Sequence, residues 1–337
     1  MKRTNLNVLD TAVVNDYIYA LVKRNERLSL LSLDKDLRVV DEAWSTEGRV
    51  GFILRMNRSK ALVSVDNKLY LVEDGKAETV LTIDTSENTF WHLTEVNGKL
   101  FMVHEYGRPP TSIYASNDLK NWEKIATNLD IDKSSKHFHD IAYDPYRKWL
   151  IITLGDGCLT RVAISEDLGS SWRPLYRGPW QFVPILVLRD KLVFGMDSGI
   201  ARGGVGVYNP SNNQWSFIFL KWYGREIRFA QMCDLKLLDN SFYIAGLGAP
   251  QAVVVSRDLR TWHPVHIEGF YKQFNMHVTI SNGKGFVACS TGKSLLLLTK
   301  DEIEDLMQTT DPIIVNYRSY IERLIGLGFS LKRRLVT

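Results

Sequence analysis

Short apolar runs alternate with polar turns along most of this chain, and three of the turns are near copies of one another. Ser116-Asn117-Asp118-Leu119-Lys120-Asn121-Trp122, Ser165-Glu166-Asp167-Leu168-Gly169-Ser170-Ser171-Trp172 and Ser256-Arg257-Asp258-Leu259-Arg260-Thr261-Trp262 each follow an apolar run and lead into another strand-like segment. Each predicts a hairpin turn in which the Asp carboxylate accepts hydrogen bonds from backbone N–H groups of its own turn, while the Trp covers the outer side of the hairpin. The spacing is 49 residues from Ser116 to Ser165 and 91 from Ser165 to Ser256, or one unit and then two. Val207-Tyr208-Asn209-Pro210-Ser211-Asn212-Asn213-Gln214-Trp215 fills the gap as a degenerate copy. A unit of about 45 residues with four short strands is the size of a propeller blade.

A second marker supports the count. Apolar segments with a polar or aromatic head recur at Arg49-Val50-Gly51, Phe90-Trp91-His92, His137-Phe138-His139, Trp180-Gln181-Phe182, Arg228-Phe229-Ala230 and Phe274-Asn275-Met276-His277; Leu6–Val14 makes a seventh. Asn97-Gly98, Asp239-Asn240 and Asn282-Gly283-Lys284-Gly285 are tight-turn signals between strands. The pattern predicts an all-β propeller of seven blades, with six as the alternative, as one domain over residues 1–318. Ile313–Tyr317 is a possible outer strand and Ile303–Leu306 is helix-like. Residues 319–337 predict a short amphipathic helical extension, with Ile321, Leu324, Ile325 and Leu327 ahead of Lys332-Arg333-Arg334.

The turns resemble the Asp-box of sialidase-like (BNR-repeat) propellers, Ser-x-Asp-x-Gly-x-Thr-Trp. Ser165, Asp167, Gly169, Ser171 and Trp172 match it with Ser in place of Thr, and the other two copies are one residue shorter. The resemblance covers roughly residues 48–299. It implies a peripheral, structural role for these turns. Arg108, Arg202 and Arg228 supply positive charge and Trp91 a stacking surface, which points to a glycan or small acidic molecule as ligand. The residues that define sialidase catalysis do not carry over: Arg49-Val50-Gly51-Phe52 does not match the Arg-Ile-Pro signature. Nor do those of arabinanase-type enzymes, since the early blade heads carry Trp91, His92, His137 and His139 where carboxylates are needed. Fold alone implies no reaction.

Propeller geometry puts the inner-strand heads and the loops between second and third strands on one face, around the central channel. Candidate ligand-binding residues there are Trp91, Arg108, Arg202, Arg228 and Gln231; candidate catalytic carboxylates are Glu105, Asp156 and Asp197. Five of the seven histidines (His92, His104, His137, His139, His277) map to the same face. His137 and His139 alternate on a strand, so both imidazoles point the same way. With His92 and His277 they make a candidate set for one divalent metal ion, which would polarise a carboxylate, carbonyl or phosphoryl oxygen. Three function classes follow: a glycan- or acidic-ligand-binding propeller that also processes its ligand, a non-catalytic interaction scaffold, and a metal-dependent polysaccharide lyase or hydrolase.

Composition narrows the field. A formal charge of +4 without a dense basic stripe excludes nucleic acid as the expected partner. No segment approaches the ~20 apolar residues of a membrane span. Met1–Asn5 has no apolar run behind it, so no signal peptide is expected. Cys158, Cys233 and Cys289, odd in number and in apolar settings, predict buried free thiols and a cytoplasmic protein.

Overall fold

The computed structural model describes residues 1–197, 203–224, 230–248, 250–268, 278–317, 324–326 and 328. Strand β1 (Lys2–Thr4) is followed by six consecutive four-stranded antiparallel meanders. They are β2–β5 (Val8–Val14, Tyr17–Arg24, Arg27–Leu33, Val39–Glu47), β6–β9 (Gly51–Met56, Lys60–Val65, Lys68–Glu73, Lys76–Thr82) and β10–β13 (Thr89–Val96, Leu100–Tyr106, Ser112–Ser116, Glu123–Thr127). A short helix α1 (Asn128–Ile131) leads to β14–β17 (Phe138–Asp144, Trp149–Leu154, Thr160–Ser165, Arg173–Arg177). Then come β18–β21 (Phe182–Val187, Leu192–Met196, Gly204–Asn209, Gln214–Trp222) and β22–β25 (Met232–Leu238, Phe242–Gly248, Gln251–Ser256, Thr261–Ile267). Strands β26 (Thr279–Gly283), β27 (Phe286–Ser290) and β28 (Leu295–Thr299), helix α2 (Lys300–Thr309) and β29 (Ile314–Asn316) complete the chain.

The β-propeller class stands, but the expected seven blades, or six, are corrected. Five discrete four-stranded blades are present. The remaining strands form one nine-stranded sheet, in the order β18-β19-β20-β21-β29-β25-β24-β23-β22. The physical cause is β29, whose backbone pairs on one side with Leu220–Trp222 of β21 and on the other with Thr261 and Trp262 of β25. Two meanders that would otherwise end in free outer edges are zipped together, which also removes exposed edges. The ring closes by another unexpected pairing: Lys2–Thr4 joins β28 as the outermost strand of the sheet β26–β28. The C-terminal helical extension agrees with residues 324–326 and 328, where Ile325 packs on the core.

Side-chain pattern sets the layering. Middle strands such as β16, β19, β24 and β27 are buried along their whole length, as strands sandwiched between neighbouring blades must be. Outer strands such as β5 and β9 are largely exposed. Tight turns at Asn97-Gly98 and Asp239-Asn240 place both central residues at positive φ (52°, 69° and 48°, 54°), the conformation that joins twisted strands.

The three repeated turns share one hydrogen-bond scheme. Ser116, Ser165 and Ser256 accept from backbone N–H groups of Leu119, Gly169 and Leu259 at 2.9, 2.7 and 2.9 Å. The Asp carboxylates accept from the turn N–H groups that follow, such as Asn121 and Ser171. Each Trp indole N–H donates back to Leu119, Gly169 or Leu259 carbonyl. Trp122 and Trp172 lie part-buried on the rim, whereas Trp262 is fully buried because β29 crosses over it.

Candidate functional site

The innermost strands β2, β6, β10, β14, β18 and β22 each break register near their start. Such a bulge re-aims one side chain. At three of these points stands an Asp that clamps neighbouring sheets. Asp10 accepts from Ile53 N–H at 2.8 Å, Asp140 from Ile185 N–H at 2.9 Å and Asp234 from Ile280 N–H at 2.7 Å. The other oxygen of each accepts from the residue that follows it. In β10 the same place is taken by His92, whose Nδ1 lies 3.2 Å from both the His139 carbonyl and Asp140 Oδ1. Asp10, Asp234 and His92 line a cavity of about 210 Å³ together with Lys236, whose ammonium is 3.1 Å from Asp234. Burial pushes Asp10 up to about 7, with the charge of Asp234 adding to the effect. Phe52, Trp91 and Val183 pack as an apolar plug against this cavity.

Around the plug, polar groups converge from three consecutive meanders. Gly155 N–H donates to the His137 carbonyl, which brings the β15–β16 loop beside the head of β14. The imidazoles of His137 and His139 face each other with their Nε2 atoms 3.2 Å apart, while Phe138 between them points into the core. His137 Nδ1 sits 3.0 Å from the Gly107 carbonyl and His139 Nδ1 2.9 Å from the Phe182 carbonyl. A carbonyl can only accept, so each Nδ1 carries the hydrogen and each Nε2 is left with a lone pair. Two neutral rings thus bring two lone pairs together with no hydrogen between them. Burial pushes His139 down to about 3 and His137 below its ordinary value, so a third proton is disfavoured at neutral pH. Two Nε2 atoms of a tetrahedral zinc site, each about 2.05 Å from the ion, lie roughly 3.3 Å apart.

Tyr106 packs beside the pair, its ring tilted on that of His137 at 4.4 Å and edge-on to that of Trp91 at 4.6 Å between centroids. Two carboxyls nearby are held in different states. Burial opposes charge on Asp156, yet the Gln181 amide (3.3 Å), His137 and Lys136 outweigh it and keep its pKa low. Burial pushes Asp197 up to about 7, and the charge of Asp156 adds to that shift. The two environments push the two carboxyls apart, in opposite directions. Arg161, buried, reaches the Gln181 amide oxygen at 3.3 Å and so positions the residue that holds Asp156.

His137 and His139 are therefore in contact, with Asp156 close enough to feel both and Asp197 close enough to feel Asp156. Trp91 is nearby but buried in the plug, stacked on His92 at 4.9 Å, so it offers a wall and not an open platform. Glu105 is placed elsewhere: alternation along β11 turns it away from Tyr106, and it is buried against the Tyr114 hydroxyl (2.5 Å) and the Asn88 amide (3.4 Å). Arg108 is exposed and paired with Glu87 at 2.8 Å. Gln231 is buried, its carbonyl accepting from Gly248. Arg202, Arg228 and His277 lie outside the described residues. Asp10, Asp234 and Lys236 are not among the sequence candidates; their signal is an Asp in the same place after an apolar pair in Val8-Leu9-Asp10 and Met232-Cys233-Asp234. All three cysteines are free and buried, as expected, and burial pushes the Cys158 thiol up to about 11. No helix among the described residues is long and apolar enough to cross a membrane.

No protein-family profile matches the chain, and no curated protein is detectably similar in sequence. Solved structures with the same fold are numerous. The extracellular domain of the putative one component system BT4673 from B. thetaiotaomicron is 10% identical with a TM-score of 0.58; the match covers 88% of this chain and 40% of that one. Virginiamycin B lyase from Staphylococcus aureus is 13% identical with a TM-score of 0.59, covering 88% and 98%. YCF48 bound to D1 peptide is 11% identical with a TM-score of 0.55, covering 88% and 96%. These likenesses establish the class: the chain is a β-propeller. At such identities they carry the fold and nothing of the activity.

Proposed function

We propose that the channel mouth binds and processes a small polar ligand around a divalent cation held by His137 and His139. The observation that carries this is the hydrogen count: both Nδ1 atoms are committed to carbonyls, and both Nε2 lone pairs meet at 3.2 Å. A cation satisfies both at once. Bound there, it polarises a carboxylate or carbonyl oxygen of the ligand. The protonated fraction of Asp197, whose pKa is pushed up to about 7, would donate to a leaving group, and the ionised Asp156 would accept the proton taken from the ligand. A glycan or small acidic molecule is the ligand class to test, and two of the proteins of similar fold are lyases. Three buried free thiols fit a reducing, cytoplasmic setting.

An interaction scaffold is the second reading, favoured by the plug of Phe52, Trp91 and Val183 and by the similarity to a propeller bound to a peptide. Metal analysis of chelator-free protein, with a thermal-shift screen of uronic acids and short glycans, separates the two. The proposal expects a bound divalent ion that His139→Gln removes, and a ligand shift that depends on it. A metal-free protein with no ligand shift supports the scaffold.

A further inference from the structure

Next to the His137–His139 pair lies a second group of ligating side chains, which shares no ligand atom with it. One ligand atom each of His92, His104 and Asp140 lies within 4.8 Å of those of the other two. The three come from β10, β11 and β14, so register and packing of the central strands hold them. His104 is the informative member. Its Nδ1 lies 3.0 Å from the Glu105 carbonyl and must carry the hydrogen, which leaves Nε2 as a bare lone pair. That Nε2 is completely buried and has no hydrogen-bond partner. A buried acceptor without a partner is costly, and a carbonyl-anchored imidazole with a free Nε2 is how metal-ligating histidines are oriented. His92 is likewise anchored, on the His139 carbonyl and on Asp140.

We propose that His92, His104 and Asp140 form a second, inner cation site, taking a divalent ion of the borderline type that prefers two imidazoles and a carboxylate, such as Zn²⁺ or Co²⁺. Metal–ligand bonds of about 2.0–2.2 Å require the three atoms to close in by less than about 1 Å each. Asp140 would bring a carboxylate whose charged form burial disfavours and a bound cation would favour, and His104 brings a buried Nε2 that has no other partner. Lys236, whose charge is felt at Asp140, is engaged by Asp234 at 3.1 Å. The ion would tie β10 and β11 to β14, where it orders the backbone that carries His139.

The test is a Co²⁺ titration of the chelator-treated protein, followed by visible absorption, with His104→Gln, Asp140→Asn and His139→Gln in parallel. The inner site predicts that His104→Gln and Asp140→Asn each lose one equivalent that His139→Gln retains. If the mouth reading alone fails, wild type binds one equivalent, and that one still depends on His104. A stoichiometry unchanged by His104→Gln overturns the inner site. Should the variants fail to fold, the long-range ¹H–¹⁵N spectrum of wild type decides: Zn²⁺ moves the His104 Nε2 resonance if it is a ligand, and an unmoved resonance rejects the proposal.

Discussion

Gly155 offers the sharpest perturbation of the mouth. It has no positive φ, so replacing it with Ala introduces no backbone strain, only a methyl group. A Cβ at this position would lie 2.2 Å from His139 Nε2 and 2.7 Å from His137 Nε2, well inside contact distance. Neither ring can step aside freely, because His139 is tied to the Phe182 carbonyl and His137 to the Gly107 carbonyl. Overpacking of this kind costs about 1–3 kcal/mol. If His139 swings away and leaves Phe182 O unpaired in a buried place, about 1–3 kcal/mol more is lost. Gly155→Ala should therefore lower the urea midpoint clearly and weaken cation binding by at least about tenfold, since the methyl occupies the space between the two lone pairs. Gly285→Ala is the control: φ is +74° with nothing within 4 Å of the added carbon, so it costs about 1 kcal/mol through the backbone alone and leaves binding unchanged. Both quantities come from urea denaturation and calorimetric titration with Zn²⁺. A Gly155→Ala protein with wild-type stability and wild-type affinity refutes the reasoning.

Three further outcomes follow from the same structure. Ser256→Ala removes the acceptor for the buried Leu259 N–H and should cost about 1–3 kcal/mol in denaturant, without touching ligand or metal binding. Leu168 sits at φ +56° with its side chain 40% exposed, so Leu168→Asn, which tolerates that conformation, should stabilise by about 0.5–1 kcal/mol in the same assay. Asp10 ionises near 4 when unfolded but holds its proton to about 7 when folded, so stability falls as pH rises from about 4 to about 7 and levels off above. The full drop from this group is at most on the order of 4 kcal/mol, Asp197 adds a slope of the same sign, and Asp10→Asn should flatten the curve measured by thermal unfolding across that range.

What could be seen in the sequence was the local chemistry. The Ser–Asp–Trp turns close their hydrogen bonds within four residues, so each copy carries its whole geometry in its own letters. The His137–His139 pair was legible for the same reason, as strand alternation alone puts both rings on one side. The misjudged blade count traces to pairings that leave no local mark. Strands β1 and β29 are three residues each and take their place only because distant strands offer free edges. The Asp clamps bridge residues 43–46 apart and needed the bulges to be known. Glu105 was grouped with Tyr106 by proximity along the chain, yet neighbours on a strand face opposite ways.

The central claim is that His137 and His139 share a cation. Anomalous diffraction at the zinc edge, on crystals grown with Zn²⁺ and without chelator, tests it directly. The account predicts a peak about 2 Å from the Nε2 atoms of both residues, with each Nδ1 still on its carbonyl. No zinc peak within bonding distance of the two Nε2 atoms would contradict it.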